Sequence, residues 1–191
     1  MLEAARSDRL APGFLVAPPP LSDPNFDHSL VLLAAHEDSG SMGFIVNRIS
    51  TLRLHDLLAE LDIDVLVADR PVLSGGPVSG FSGFVLYEHK ENRILGPGIE
   101  VTPTISISPS KEILEAAAQG RLAGRFELLL GYAGWGPQQL EQELERGSWM
   151  HAPFDPELLF DVPMEQRWQE SYARLGVNPF GFVNVPGGAQ A

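Results

Sequence analysis

Residues 131–140 read Gly-Tyr-Ala-Gly-Trp-Gly-Pro-Gln-Gln-Leu, and they follow a short apolar run from Phe126 to Leu130. An apolar strand, a glycine-rich loop and a helix start in succession can bind an anion, because unpaired N–H groups and the helix dipole converge on one place. Gly134, Trp135, Gln138 and Gln139 are the residues that would form such a site. The segment carries no Lys-Ser or Lys-Thr of a P-loop, and its glycines are spaced G-x-x-G-x-G where a dinucleotide turn requires G-x-G-x-x-G. That spacing favours the competing reading, a tight turn whose glycines let another backbone come close and seat Trp135 as a buried platform.

Two other groupings could hold an anion. Gly75-Gly76-Pro77 has the composition of a small backbone nest, and equally that of an ordinary turn. Asn47-Arg48 stands at the exit of an apolar strand, where a guanidinium fork suits carboxylates and other anions. An ion pair with a neighbouring acid is the alternative for Arg48.

Other chemistries find little support. The five histidines are scattered without H-x-x-x-H or H-E-x-x-H spacing, so no metal site is expected. His36-Glu37-Asp38 lies beside Gly40 and reads as a hairpin turn, and Asp62 and Asp64 read as solvated loop carboxylates. Gly80-Phe81-Ser82-Gly83 misplaces the second glycine of a nucleophile elbow, which leaves a turn. With no cysteine in the chain there is no thiolate nucleophile and no cysteine-ligated metal. Neither a catalytic set nor a cofactor is expected.

The elements that would position these groups can be read from periodicity. Leu30 to Ala35 is a continuous apolar run, as expected of a strand buried on both faces. A turn over Gly40 to Gly43 then leads into a second strand at Phe44 to Val46. Leu54, Leu57, Leu58 and Leu61 recur at helical spacing, with Ser50 or Thr51 as the cap. Further strands are expected at Val72-Leu73, Phe84 to Tyr87 and Thr104 to Ile107, and a helix from Ser108-Pro109 to Gly120. A third helix is expected over Pro137 to Arg146, with Leu140 and Leu144 inward and Glu141, Glu143 and Glu145 facing water or a basic partner. The stripe Met164, Trp168, Tyr172, Leu175 predicts a fourth over Pro163 to Leu175. Strands and helices mix without a βαβ repeat, which argues for a single α+β domain with a mixed or antiparallel sheet covered by about four short helices. The expected limits are an N-terminal arm at 1–12, the domain at 13–177 and a flexible tail at 178–191.

The chain of 191 residues carries a net charge of −12. Such a field opposes the approach of polyanions, and the basic grouping around the second helix, Lys111, Arg121 and Arg125, is interleaved with Glu112 and Glu115. Nucleic acid is therefore an unfavoured partner. No stretch approaches the length of a membrane span, and the first ten residues lack the apolar core of a secretory signal, so the expected location is the cytoplasm.

Several blocks together resemble a known family. Gly13 to Pro18 with Asp23-Pro24-Asn25-Phe26, then Ser29 to His36, Met42 to Arg48, Gly75-Gly76-Pro77-Val78, the Gly131 to Glu143 stretch, Trp149, Leu158-Leu159-Phe160, Arg167-Trp168 and Leu175-Gly176 resemble, in order and spacing, the bacterial AlgH/YqgE family. Ile49 stands where a proline often follows Asn-Arg in that family, and Tyr87-Glu88 near a position often held by Leu-His. The resemblance implies a cytoplasmic bacterial protein that carries a transcriptional-regulator label, given from genetic association with exopolysaccharide control. Combined with the residues, the leading expectation is a non-enzymatic protein acting through a protein partner or a small anionic ligand, with a regulatory role. The alternatives are a small-ligand enzyme with a pocket near Asn47-Arg48 and the glycine-rich loops, and a DNA-binding regulator, which the charge disfavours. The sequence leaves the oligomeric state open.

Overall fold

The computed structural model describes residues 9–19, 23–91 and 96–179. Ten strands form the framework: β1 (Gly13–Val16), β2 (Leu30–Glu37), β3 (Gly40–Ile45), β4 (Ile49–Arg53), β5 (Pro71–Ser74), β6 (Val78–Glu88), β7 (Ile99–Thr102), β8 (Ile105–Ser108), β9 (Phe126–Trp135) and β10 (Met150–Pro153). Five helices accompany them: α1 (Leu54–Glu60), α2 (Lys111–Ala118), α3 (Gln139–Glu145), α4 (Pro156–Phe160) and α5 (Arg167–Arg174), the last entered through a 3₁₀ turn at Met164–Gln166. The strand order is β10-β1-β2-β3-β9-β6-β8-β7, with β4 paired to β5 and β5 paired to β9. Only β5–β9 is parallel among these pairings. The result is the expected α+β fold, a curled and mostly antiparallel sheet.

The curl gives the sheet an inside and an outside. Leu30, Leu32 and Ala34 of β2 join Phe14, Phe44, Leu86, Ile107 and Leu129 in the inner core, which α4 and α5 close with Leu158, Leu159, Trp168 and Tyr172. The alternate residues Val31 and Leu33 face outward into a second cluster with Ala133, Trp135, Leu140 and Trp149. A third cluster lies beneath α1 and α2, where Leu54, Leu58, Ile113 and Ala117 cover Val85, Tyr87, Phe126 and Leu128. The β2 run is thus buried on both faces, as its unbroken hydrophobicity predicts.

The structure corrects the reading of residues 131–135, which continue β9 and are not a loop. Phe126 and Leu128 face the helices α1 and α2, and Leu129 faces the inner core. Beyond Gly131 the alternation slips by one residue: Tyr132 packs against the inner core while Ala133 and Trp135 face outward. Gly131 has φ +73°, the left-handed geometry of a bulge glycine. The register with β6 shifts over the same stretch, between Val78 and Gly83. The change of face at Gly131 lets a single strand serve two outer clusters.

Gly75 and Gly76 cross β9 at that bulge. A Cβ on Gly75 would lie 2.4 Å from the Gly131 carbonyl oxygen, and one on Gly76 would lie 2.2 Å from the Tyr132 carbonyl carbon. The Gly75 N–H donates to the Leu130 carbonyl (2.7 Å) and its carbonyl accepts from the Ile45 N–H (2.8 Å). The two glycines are therefore wedged between β3 and β9, where no side chain fits.

Other differences are local. The expected Gly40 to Gly43 turn is already strand β3, because both glycines complete the ladder with β2 and Gly43 also pairs with β9. Helix α3 starts at Gln139, two residues after Pro137, since Gln138 adopts φ +60°. Strands β1, β4, β7 and β10 and helix α4 are too short for periodicity to reveal. Residues 1–8 of the expected arm and 180–191 of the expected tail lie outside the described residues.

A buried ion pair joins the layers. Arg167, 4% exposed, binds Glu127, 16% exposed, through Nη2 to Oε1 (2.6 Å) and Nη1 to Oε2 (3.1 Å). The same guanidinium donates to the carbonyls of Val46 (2.6 Å) and Val162 (3.1 Å). Burial pushes the Glu127 carboxyl above its usual range, against the pull of Arg167. Removing one member of such a pair costs about 3–5 kcal/mol, whereas an apolar replacement of both is often neutral. Arg167→Met is expected to lower the urea unfolding free energy by about that much, and adding Glu127→Leu to recover most of it. A single variant as stable as the parent would contradict the role given to the pair. Gly131→Ala is expected to cost at least about 1–3 kcal/mol from backbone strain, read by the same titration.

Candidate functional site

The end of β9, helix α3 and the segment before β10 form a groove of about 420 Å³. Its walls include Phe26, Gly134, Trp135, Gln139, Glu143 and Trp149, with Asp23, Arg146 and Ser148 at its sides. The bulge at Gly131 is what turns Trp135 toward this side of the sheet. Helix α3 follows after a tight turn, which aims Leu140 and Glu143 back at the strand it has just left.

Glu143 organises the groove. Its Oε2 accepts the Trp135 indole N–H (2.8 Å) and the Trp149 indole N–H (3.0 Å). Its Oε1 accepts from Gln139 Nε2 (2.9 Å), and Gln139 Oε1 in turn accepts the Gly136 N–H (3.0 Å). Trp135 and Trp149 meet edge to face at 6.1 Å, and Phe26 meets Trp149 edge to face at 5.3 Å. A buried indole N–H needs an acceptor, and one carboxylate supplies it for both rings. Glu143 is thus not a solvated member of an acidic helix face, as its sequence context suggests. The signal for it was the i, i+4 spacing of Gln139 and Glu143 on the same side as Leu140.

The groove is a weaker anion site than the sequence layout implies. The Gly136 N–H, one of the donors an anion would use, is already taken by Gln139. Helix α3 is only seven residues long, and two carboxylates, Asp23 and Glu143, line the space against one cation, Arg146.

The remaining sequence candidates lie elsewhere on the same seam. Asn47 holds the loop before β2: its Oδ1 accepts the Leu30 N–H and its Nδ2 donates to the His28 carbonyl, both at 2.8 Å. Arg48 donates to the carbonyls of Asn25 and Asp27, so its acceptors are backbone oxygens of that loop and not an acidic side chain. Its own carbonyl accepts the Ser74 N–H (2.8 Å), which brings Asn47-Arg48 next to Gly75-Gly76-Pro77. Neither of these two blocks lines the Trp135 groove. Gln138 supplies the left-handed turn before α3, and Gly134 pairs with Met42 of β3. Among the described residues no group of three or more histidines and acids is placed to hold a metal ion, and no helix is long and apolar enough to cross a membrane.

Trp135, 6% exposed, should cost about 3–5 kcal/mol when cut to alanine. Glu143→Leu should cost about 1–3 kcal/mol for each indole N–H it strands, with Glu143→Gln recovering part through its remaining carbonyl. Thermal or urea unfolding reads both, and a Glu143→Leu protein with parental stability would remove Glu143 from this role. Arg48→Ala should cost only about 1 kcal/mol, because its bonds are solvent-accessible.

Comparison with known proteins agrees with this architecture. A family model described as AlgH-like matches residues 14–180. A UPF0301 protein of Anaeromyxobacter dehalogenans strain 2CP-1 is 43% identical over 189 residues, covering 95% of this chain and 96% of that protein. One from Xanthomonas campestris pv. campestris strain B100 is 41% identical over 183 residues, covering 94% and 96%. The solution structure of the AlgH protein from Pseudomonas aeruginosa superimposes with a TM-score of 0.76 at 37% identity, covering 95% of this chain and 97% of that one. A crystal structure from Corynebacterium diphtheriae shares the fold, with a TM-score of 0.67 at 21% identity and 87% coverage of each chain. On the strength of the sequence blocks, the fold and these matches, the chain belongs to the AlgH-like family.

Proposed function

We propose that the protein is a non-enzymatic, cytoplasmic binding protein with a regulatory role, and that the Trp135 groove is its partner contact. The observation that carries this reading is the Glu143 clamp, which fixes two indoles, Gln139 and the Gly136 turn in one preorganised wall. A preorganised wall lowers the entropic cost of association. The polar side chains that an enzyme would turn on a substrate are occupied by structural bonds instead: Asn47 and Arg48 hold a loop, and Glu143 holds the indoles.

The chemistry of the groove favours a protein segment over a small anion. Asp23 and Glu143 face the space, Glu141 and Glu145 stand on the same helix, and the whole chain carries −12. Acidic side chains around a groove floored by buried indoles suit a partner that presents a basic side chain. The same field opposes DNA.

Cross-linked capture from bacterial extract, with the full chain as bait, tests this reading through two groove-side variants. Ser148→Arg places a positive charge in the groove and should reduce capture of the specific partner at least about tenfold, equivalent to about 1.4 kcal/mol. Arg146→Glu should leave capture intact or strengthen it. The opposite order would assign the groove to an anion, and capture indifferent to Ser148→Arg would remove it as the contact. Titration onto DNA at low salt is expected to give no binding.

A further inference from the structure

A second cavity, of about 410 Å³, opens where the starts of β5 and β9 meet the end of α4 and the 3₁₀ turn. This volume is in the range of small-molecule sites. Leu73, Phe126, Phe160 and Met164 give it apolar walls, and Arg70, Arg125, Asp69 and Glu127 supply its charges. Three of those four charges are neutralised within the protein. Glu127 is held by Arg167, Asp69 by Arg53, and Arg125 by Glu88 and Asp161.

Arg70 differs. Its guanidinium lies 4.3 Å from the centroid of the Phe126 ring and donates one N–H to the Phe126 carbonyl at 3.0 Å. Among the described residues no carboxylate lies within ion-pair distance of it. Stacking and the carbonyl bond fix the plane of the fork, and one bond accounts for one of five donors. Glu127 acts on Arg70 through space, but an oriented guanidinium with no direct ion pair, at the wall of a partly apolar cavity, is complementary to a planar anion attached to an apolar body.

We propose that this cavity binds a small amphiphilic carboxylate, with the carboxylate on Arg70 and the apolar body against Phe126, Phe160 and Met164. Arg70 offers one guanidinium fork without a direct ion pair, which fits one carboxylate; a phosphate would call for a second such donor. The site is separate from the Trp135 groove and does not rest on the reading given to it.

Octanoate and octanol serve as probes against the full-length protein, with binding followed by ligand-observed NMR and calorimetry. Octanoate should bind at least about tenfold more tightly than octanol. Arg70→Gln should abolish that preference, Arg70→Lys should keep part of it, and Met164→Trp should weaken both probes by filling the cavity, with unfolding midpoints recorded for each variant. Equal affinity for acid and alcohol, octanoate binding unchanged by Arg70→Gln in a folded protein, or no octanoate bound at millimolar concentration would each overturn the proposal. Partner capture at the Trp135 groove is read separately, so failure of one test leaves the other standing.

Discussion

The Arg167–Glu127 ion pair is the constraint on which the rest of the molecule depends. It ties three layers at one point: Glu127 belongs to the central strand β9, Arg167 begins α5, and the Val46 carbonyl that completes the cluster lies at the end of β3. With the guanidinium satisfied there, α5 lies across the inner core. Trp168 and Tyr172 then reach the Ala17 carbonyl beyond β1, at 2.8 and 3.0 Å. Burial pushes the Tyr172 phenol up to about 12, so it stays a neutral donor. A buried ion pair adds little net stability over an apolar replacement, but it tolerates few alternative arrangements. Its effect here is to set the position of α5 against the sheet.

Strand β9 distributes that constraint. Its first half lies over α1 and α2, and its second half over α3, and the change of face is made by one left-handed glycine. The Gly75-Gly76 crossing presses on the same place, so the bulge, the parallel β5 pairing and the β3 contact are mutually dependent. Backbone packed this closely has little freedom to rearrange. The Trp135 groove is consequently built on rigid elements.

The groove and the Arg70 cavity use opposite electrostatics. In the first, a carboxylate collects neutral donors and keeps a negative potential beside aromatic edges. In the second, a guanidinium stands on an aromatic face with no direct ion pair. Both rely on an aromatic ring to hold a charged group in one orientation, and they lie at opposite ends of β9.

Periodicity alone determined much of the architecture. The two-sided burial of β2, the amphipathic stripes of α1 and α5, and the α+β mixture follow from where apolar residues recur, because burial is a local demand on each side chain. The blocks at Gly43 to Arg48, Gly75 to Val78 and Gly131 to Glu143 likewise carried the family. Partner identities were decided only by tertiary structure. That Gly131 changes the face of a strand, that Glu143 faces two indoles, that Arg48 holds a loop and that Arg70 makes no direct ion pair all depend on residues far apart in sequence. Arg167 and Val46 are 121 residues apart, and no local propensity encodes which of several carbonyls or carboxylates will meet a given donor once the sheet has curled.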